Sequence, residues 1–443
     1  MRSHPHTKKA RKATVLIVVL WVCLGLVSLT LVFGQSMLMA FRGSDQNLAG
    51  YQADQAIEGA VRYAQYILAN LEEPGQLPLP GNYRREKVPV GEAAFWFVGR
   101  PASSSNNRSP IYGLTDEASK LNLNTVTQPM LETLPGMTAE LAASIIDWRD
   151  EDDEITEGGA ETETYQLRKP STVCKNARFE TVEELALVNG ATWEILFGED
   201  LNRNGVLDPN ENDGSTTPPN DNADGRLNPG LLELFTVYSK ESNTREDGSA
   251  KLNVNQPSEE LTSFLQETLG EETADQVAAR TSGTQYQSLM QYFIRSQLSA
   301  DQCDLLASDL TTSNEEREGL VNVNTASEYV LACIPGIDEQ TAAQIVSTRE
   351  RQNSPHKSVY WIVDIIGEEN AAQAGPFITA QSWQITADVA AVGRYGRGYR
   401  REQVVLDATQ TPAAILHRRR LGGLGWALGT QTLQDLDREF SQR

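Results

Sequence analysis

Residues 200–211 have the residue types and spacing of a calcium-binding loop. The segment reads DLNRNGVLDPNE and matches the pattern D-x-[DN]-x-[DN]-G-x5-E at every specified position. A calcium ion takes about 6–8 oxygen ligands, so a tightly curled chain must present oxygens at alternating positions. The ligands would be the side chains or carbonyls of Asp200, Asn202, Asn204, Val206, Asp208 and Glu211. In this arrangement Val206 offers its carbonyl, Asp208 acts through a water molecule and Glu211 closes the loop with both oxygens.

Two further residues define what kind of loop this is. Gly205 takes the sharp turn, while Pro209 argues against a regular helix after the loop. The sequence therefore predicts a calcium loop without a complete EF-hand. The alternative is an ordinary solvated acidic loop.

Two other acidic segments are weaker candidates for cation binding. Residues 220–225 look like a second loop start, but Leu231 stands where the closing glutamate belongs. Residues 147–154 read DWRDEDDE, which we interpret as a solvated helix end. The sequence leaves open whether either segment binds a second calcium ion.

The sequence contains no recognisable catalytic arrangement. It lacks a P-loop, a glycine-rich nucleotide fingerprint and any informative spacing of serines, histidines and carboxylates. The four cysteines include no CxxC pair, and Cys174, Cys303 and Cys333 allow at most one disulfide bridge, with the pairing left open. We therefore predict a protein that is not an enzyme and has no small-molecule substrate.

The amino-terminal region predicts a membrane anchor. Five basic residues precede an apolar run over residues 15–33, which spans about 28 Å as a helix at about 1.5 Å per residue. The preceding cations keep the amino end in the cytoplasm, so residues 42–443 should be exported. A signal peptide with a long core is the alternative. A helical apolar stripe from Leu48 and Tyr51 to Leu68 predicts that the same helix continues past fifty residues.

The charge of the chain limits its partners. With 38 basic and 60 acidic side chains the net charge is −22, and the exported part is more acidic still. Such a surface repels nucleic acid and suits divalent cations. The cluster at residues 418–420 is an exception, which we interpret as a solvated strand edge, with a docking patch as the alternative.

An internal repeat occupies the middle of the chain. Residues 121–125 read LNLNT and precede a Pro-Gly turn at Gly136; residues 321–325 read VNVNT and precede a second turn at Gly336, at an offset of 200 residues. Residues 252–256, LNVNQ, begin a degenerate copy without the turn. Repetition at a fixed offset indicates duplicated helical units.

The turns of the repeat resemble the helix-hairpin-helix of DNA-binding proteins. That motif uses a second glycine to bring backbone amides to a phosphate, and here Thr138 and Asp338 stand in its place. We interpret the units as packing modules without a phosphate site, with DNA binding as the alternative. Strand patterns at residues 93–98, 384–392, 403–408 and 413–418 flank this region, which predicts an α+β domain with a helical insertion.

The chain resembles the K-type minor pseudopilins of type II secretion systems. The resemblance rests on the membrane start LIVVLWV at residues 16–22, the LNLNT and LPG segments, the DWRDEDDE run and VNVNTA at residues 321–326. It implies a pilin-like long helix on a small antiparallel sheet, with a large inserted helical domain containing helix-hairpin-helix or SAM-like repeats. It also implies a single-pass protein of the inner membrane, mostly periplasmic, that caps the pseudopilus with the I- and J-type subunits.

The resemblance also implies processing and domain boundaries. Prepilin peptidase would cut between Ala13 and Thr14, where the family usually has glycine before the cut. The expected divisions are a leader (1–13), a transmembrane part (14–41), the pilin-like helix and first strands (42–118), an inserted domain (119–350) with the calcium loop region (199–230), closing strands (351–429) and a tail (430–443).

The residue at position 18 bears on the place of the chain in a filament. Most pilin-like subunits carry glutamate at the fifth mature residue, and here that residue would be Val18. A subunit without this carboxylate suits the tip, where nothing lies ahead of it. Two alternatives remain open from the sequence, namely a membrane-tethered DNA receptor of the competence type and a calcium-binding surface adhesin.

Overall fold

The computed structural model describes residues 8–101, 109–351 and 355–441, so the first seven residues of the predicted leader lie outside the described part. The chain is an α+β protein with a long amino-terminal helix, an antiparallel sheet and additional helices. The helices are α1 (Lys8–Ala69), α2 (Gln128–Glu132), α3 (Ala139–Arg149), α4 (Thr162–Gln166), α5 (Trp193–Phe197), α6 (Glu259–Leu269), α7 (Glu271–Thr281), α8 (Leu289–Ser296), α9 (Ala300–Leu306), α10 (Glu328–Leu331), α11 (Glu339–Arg349), α12 (Val363–Ile366), α13 (Glu368–Ala374) and α14 (Gly429–Ser441). The strands are β1 (Val88–Val90), β2 (Ala93–Phe97), β3 (Thr115–Asp116), β4 (Leu121–Asn122), β5 (Phe235–Thr236), β6 (Lys240–Glu241), β7 (Leu252–Asn253), β8 (Leu310–Thr311), β9 (Arg317–Glu318), β10 (Val321–Asn322), β11 (Ile378–Thr379), β12 (Gln384–Val392), β13 (Arg400–Asp407) and β14 (Ala414–Arg420).

Helix α1 is 62 residues long and has two halves with different surroundings. Among the described residues it is the one helix long and apolar enough to cross a membrane, and its apolar window is 0% buried within the protein. The helix is continuous through Ala13 and Thr14, the residues expected to flank the peptidase cut. A single-pass membrane anchor is therefore the role that its length and composition suggest.

The carboxyl-terminal half of α1 packs on the sheet. Its small and branched side chains are buried there, namely Ala53, Ala56, Ile57, Ala60, Val61, Ala64, Ile67 and Leu68. The start of the predicted stripe was wrong, because Leu48 and Tyr51 are 44% and 70% exposed. Contact begins instead at Ala49, whose backbone lies so close to Gly393 that a Cβ on the glycine would stand 2.1 Å from the Ala49 carbonyl oxygen. Only small residues permit this approach.

The main sheet has the order β1-β2-β12-β13-β14, with β3 paired to β12, and every pairing is antiparallel. All nine residues of β12 are buried. One face lies under α1, and the other is covered by a small cluster that includes Ala427, Leu428 and Leu436. The expected tail at residues 430–443 contains most of α14, and Leu436 of this helix buries its side chain against this face of the sheet.

Three structural copies lie between β3 and β12. Each begins with a two-residue strand of the Leu/Val-Asn type that pairs in parallel with a strand later in the chain, as β4 with β5, β7 with β8 and β10 with β11. The degenerate copy therefore has the same pairing as the other two. Instead of a Pro-Gly turn it joins α6 directly to α7 at Gly270 (φ +85°).

The asparagines explain why the repeat is visible in the sequence. The side-chain oxygen of the first asparagine in each copy accepts a hydrogen bond from the backbone amide two residues later, at 2.9 Å in all three copies. The amides of Asn124, Asn255 and Asn324 donate to Asn122, Asn253 and Asn322 respectively. This short-range bond turns the chain out of the strand and into the following helix.

The copies differ in how they pack. The first and third share one hydrophobic core, whereas the middle copy has a core of its own. Arg149 and Arg349 bond backbone carbonyls at the start of their own copies, at Leu123 and Val323. The equivalent Arg280 bonds the carbonyl of Ser296 instead. The offset of 200 residues thus corresponds to two units that pack against each other.

Candidate functional site

The candidate cation loop, residues 200–211, is shaped by its own carboxylates. The two oxygens of Asp200 accept hydrogen bonds from the backbone amides of Asn204 (2.9 Å) and Gly205 (2.8 Å). The carboxylate of Glu211 accepts from the amides of Leu201 (3.1 Å) and Asp208 (3.0 Å). These bonds curl the segment upon itself, and Gly205 takes the turn with φ +71°.

The structure brings the predicted ligand residues together in one loop. Asp200 and Glu211 are 0% and 1% exposed, and the amide groups of Asn202 and Asn204 both donate to Asp208, at 2.7 and 3.1 Å. The side-chain oxygen of Asn202 is buried without a hydrogen-bond partner. A short 3₁₀ turn at Pro209–Glu211 follows in place of a regular helix, as the proline predicts.

The electrostatics of the loop suit a cation. Burial, the charge of Asp200 and the charge of Asp208 together raise the pKa of Glu211 to about 8. Burial also raises the pKa of Asp200. Carboxylate and amide oxygens are the ligands of hard cations such as calcium, so the residue types in the loop are those that such an ion uses. In this structure the four carboxylate oxygens of Asp200 and Glu211 accept hydrogen bonds from backbone amides.

A buried arginine connects this loop to the sheet. Arg401 on β13 donates to the backbone carbonyls of Asn202 and Arg203, and it bonds both oxygens of Asp388 on β12 at 2.8 and 2.6 Å. Arg100 bonds Asp388 at 3.1 Å from the other side. The sequence patterns did not predict this group. Its signal was a lone aspartate in the otherwise apolar centre of the predicted strand 384–392.

The other two acidic candidates, residues 220–225 and residues 147–154, differ in their hydrogen bonds and burial. The carboxylate of Asp221 accepts hydrogen bonds from the amides of Asp213, Gly214 and Ala223, and Leu231, at the closing position, is 2% exposed and apolar. The run at residues 147–154 is only partly a solvated helix end. Residues 151–154 are exposed, but Asp147 is fully buried.

The turns that resemble phosphate-binding hairpins are closed by their own side chains. The hydroxyl of Thr138 accepts from the amide of Leu141 at 3.1 Å, and the carboxylate of Asp338 accepts from that of Thr341 at 2.8 Å. These are amides that a phosphate would need. Two of the three carboxyl-terminal arginines form ion pairs within the protein, Arg418 with Glu58 and Glu402 and Arg419 with Glu183, whereas Arg420 is exposed. Cys174, Cys303 and Cys333 are buried free thiols.

Comparison with known proteins finds a family similarity for one segment of the chain. A family model described as type II secretion system (T2SS), protein K, matches residues 114–197. A search of curated proteins found no match. Among solved structures, the chain is similar to one from the crystal structure of the GspK-GspI-GspJ complex of the enterotoxigenic Escherichia coli type 2 secretion system. That match has 11% identity and a TM-score of 0.43, and it covers 87% of this chain and 99% of that chain.

The matched segment runs from β3 to the end of α5, so it contains the first structural copy and the run at residues 147–154. The similarity to the protein K family model is therefore a property of this segment of the chain.

Proposed function

We propose that the protein is a non-catalytic minor pseudopilin at the tip of the type II secretion pseudopilus, taking part in pseudopilus assembly and protein export. The observation that carries this proposal is the protein K family domain at residues 114–197, inserted in the sheet of a chain with an apolar amino-terminal helix. In this role α1 anchors the chain in the inner membrane, with the remainder in the periplasm. The helix pairs α2–α3 and α10–α11 serve as helix-hairpin-helix packing units.

The partners follow from the same proposal. The printed title of the similar structure describes a complex of GspK with GspI and GspJ, and we extend the corresponding I- and J-type partners to this chain. Co-expression with I- and J-type subunits should give a complex that survives size-exclusion chromatography. Failure of the full chain to bind either subunit would contradict the proposal.

The proposed tip position rests on Val18 and on the size of the insertion between β3 and β12. A subunit without a carboxylate at this place lacks the group that pairs with a neighbouring amino terminus inside the membrane. The insertion between β3 and β12 would also crowd a subunit stacked above it. Electron microscopy of pseudopili with a label in the insertion should show it at one end of the fibre. Labels that repeat along the fibre would refute the tip position.

Processing gives a separate test. Mass spectrometry of the protein from cells with active prepilin peptidase should find a methylated amino terminus at Thr14. An intact Met1 would argue against the pseudopilin assignment, and a terminus beyond residue 33 would support a signal peptide.

We also propose that residues 200–211 bind calcium, since two buried carboxylates and an unpartnered amide oxygen share one curled loop. Calcium loops of extracellular modules have dissociation constants of about 10⁻⁴–10⁻³ M. Calorimetry on the full chain in detergent should show calcium binding that Glu211→Ala weakens and that Glu151→Gln, an exposed control, leaves unchanged. The same calcium heat for Glu211→Ala and the wild type would reject the site.

A further inference from the structure

The loop that joins β12 to β13, residues 393–399, lies beside the part of α1 that follows its apolar half. Together with Arg400, the first residue of β13, this β12–β13 loop reads GRYGRGYR, with three arginines, two tyrosines and no acidic residue. The chain as a whole has a net charge of −22. The loop is therefore a basic segment on an acidic protein.

Close contacts fix the position of the loop along α1. A Cβ on Gly398 would stand 2.3 Å from the backbone nitrogen of Gly50, so the two backbones pack directly on each other. The guanidinium groups of Arg394 and Arg397 both pair with the carboxylate of Asp45. Because of these contacts, the height of the loop above a membrane follows from the height of α1.

The apolar half of α1 sets that height. Beyond residue 33 its exposed apolar side chains continue, namely Met37, Leu38, Met39 and Phe41. Arg42 is the first charged residue after them. Residues 15–41 form about 39 Å of helix at about 1.5 Å per residue, close to the thickness of about 40–45 Å of a bilayer with its headgroups. Asp45 lies only about 6 Å further along the axis, so the β12–β13 loop lies beside the headgroups when α1 spans a membrane.

The arginines at this level outnumber the acids with which they pair. Asp45 is shared by two guanidinium groups, and Arg400 pairs with Asp54 at 3.4 Å. Arg42, which is exposed on α1, adds a further positive charge. The side chains of Arg397 and Arg400 remain 52% and 48% exposed despite their ion pairs. The loop therefore presents an excess of positive charge to the solvent.

Two acids that α14 carries have cations of their own. This helix packs on the turn at residues 394–396. The carboxylate of Asp435 lies 3.6 Å from the guanidinium of Arg438, and Glu439 pairs with Lys87. These two acids therefore do not neutralise the arginines of the loop.

An aromatic ring stands at the tip of the loop in a strained conformation. Tyr395 has φ +57°, in the left-handed region that large side chains avoid, and it is 44% exposed. Tyrosines concentrate at the boundary between membrane and water, where the ring meets apolar chains and the hydroxyl meets the headgroups. A tyrosine beside exposed arginines is a composition that suits this boundary.

We propose that the β12–β13 loop is a second membrane contact, in which Arg394 and Arg397 bind the phosphates of anionic phospholipids beside Tyr395. A planar guanidinium matches a phosphate through two parallel hydrogen bonds. The proposal rests on the membrane anchor proposed above and adds a surface to it. Because the rest of the exported chain is acidic and is repelled by anionic lipid, a basic contact at this one end sets the orientation of the exported domain.

Hydrogen exchange of the full chain in nanodiscs tests this contact. One set of nanodiscs contains phosphatidylcholine, and the other contains equal parts of phosphatidylcholine and phosphatidylglycerol. Amides of residues 393–400 should exchange at least about tenfold more slowly in the anionic nanodiscs, since each arginine near such a surface adds to the binding. Amides of α9 should exchange equally in both. High salt should remove the difference, because it screens the charges.

Three variants separate lipid binding from a purely structural role. Arg397→Gln should reduce the difference between the two kinds of nanodisc about fivefold. Arg62→Gln is the matched control and should leave the difference unchanged, because Arg62 is exposed on α1 about 25 Å beyond Asp45. Asp45→Asn releases both guanidinium groups from their protein partner and should keep the difference. If the arginines only fasten the loop to α1, Asp45→Asn will instead speed exchange equally in both kinds of nanodisc, which would overturn the proposal.

A flotation assay distinguishes failure of this contact from failure of the anchor. The full chain should float with phosphatidylcholine vesicles through α1 alone. Equal exchange of residues 393–400 in the two kinds of nanodisc, for a chain that floats, would overturn the loop contact and leave the anchor intact. A chain that does not float would refute the anchor and the loop contact together.

Discussion

The loop at residues 200–211 and the cluster at Asp147, Asp150 and Glu161 bury acids in two different ways. In the loop, backbone amides from the same twelve residues bond Asp200 and Glu211. In the cluster, Thr156 provides one amide and most of the buried oxygens have no partner. Nevertheless burial and neighbouring acids raise the pKa of Glu211 to about 8 and that of Glu161 to about 7. Hydrogen bonds from amides thus shape a site without offsetting the burial of several like charges.

The largest effect should come from substituting Arg401, which bonds the loop from β13 and has no counterpart at the cluster. Arg401→Met deletes the bonds to the carbonyls of Asn202 and Arg203 and leaves Asp388 with Arg100 as its remaining partner. Breaking a buried pair from one side costs about 3–5 kcal/mol. We expect a loss of this size in the free energy of unfolding, measured by urea titration of the full chain in detergent. Arg420→Met, at an exposed position on β14, is the matched control. Equal stability of Arg401→Met and wild type would mean that the loop keeps its conformation without the Arg401 contacts to the sheet.

Asp116, a buried acid outside both groups, is a reference for the comparison. Asp116 is 1% exposed and accepts bonds from Asn322 (3.0 Å) and Thr325 (2.6 Å), which join β3 to the third copy. Burial nevertheless raises its pKa to about 6. The folded protein therefore keeps this proton after the unfolded chain, with a pKa near 3.8, has lost it, so stability falls as pH rises from about 4 to about 6.

The Asp116→Asn variant isolates this effect. Relative to that variant, the wild type should lose about 2–3 kcal/mol of unfolding free energy between pH 4 and pH 7. Urea titrations at the two pH values measure it. A difference between the two proteins that does not change with pH would show that neutral donors suffice to hold a buried carboxylate, contrary to the comparison.

A smaller effect should follow from closing the space beside the cluster. A Cβ on Gly159 would stand 2.1 Å from an oxygen of Asp147, so Gly159→Ala must move the turn or the carboxylate. Overpacking of this kind costs about 1–3 kcal/mol, so the free energy of unfolding should fall by that amount. Gly158→Ala is the control, because its Cβ meets open space and only its φ of +84° is strained. Urea titrations that find the same loss of stability in both variants would remove the distinction between lost space and backbone strain.

The smallest effect is expected at residues 220–225. Asp224 is exposed, and Asp224→Asn should change the unfolding free energy by less than about 0.5 kcal/mol. Calorimetry should find calcium binding unaltered. A clear loss of calcium binding in this variant would add the segment to the cation sites.

Local patterns predicted much of the fold. Residues 384–392 were predicted as a strand and form β12 with those bounds, and the long helix and the repeat were also found. The errors lie where tertiary contact decides the outcome. Leu48 and Tyr51 fit a helical stripe, but their side chains are exposed because α1 packs on the sheet through other residues.

The sequence by itself determined the loop at residues 200–211, because its donors and acceptors are close in the chain and the twelve residues carry the whole pattern. It also determined the anchor helix and the asparagine turns, which depend on composition and on bonds between near neighbours. Only the tertiary structure decided that Asp147 is buried and that Glu161 joins it, and that Arg401 fastens the loop to the sheet. The Arg401 contact joins residues 198 positions apart in the sequence, and burial of a charge is a property of the packed chain that no local pattern contains.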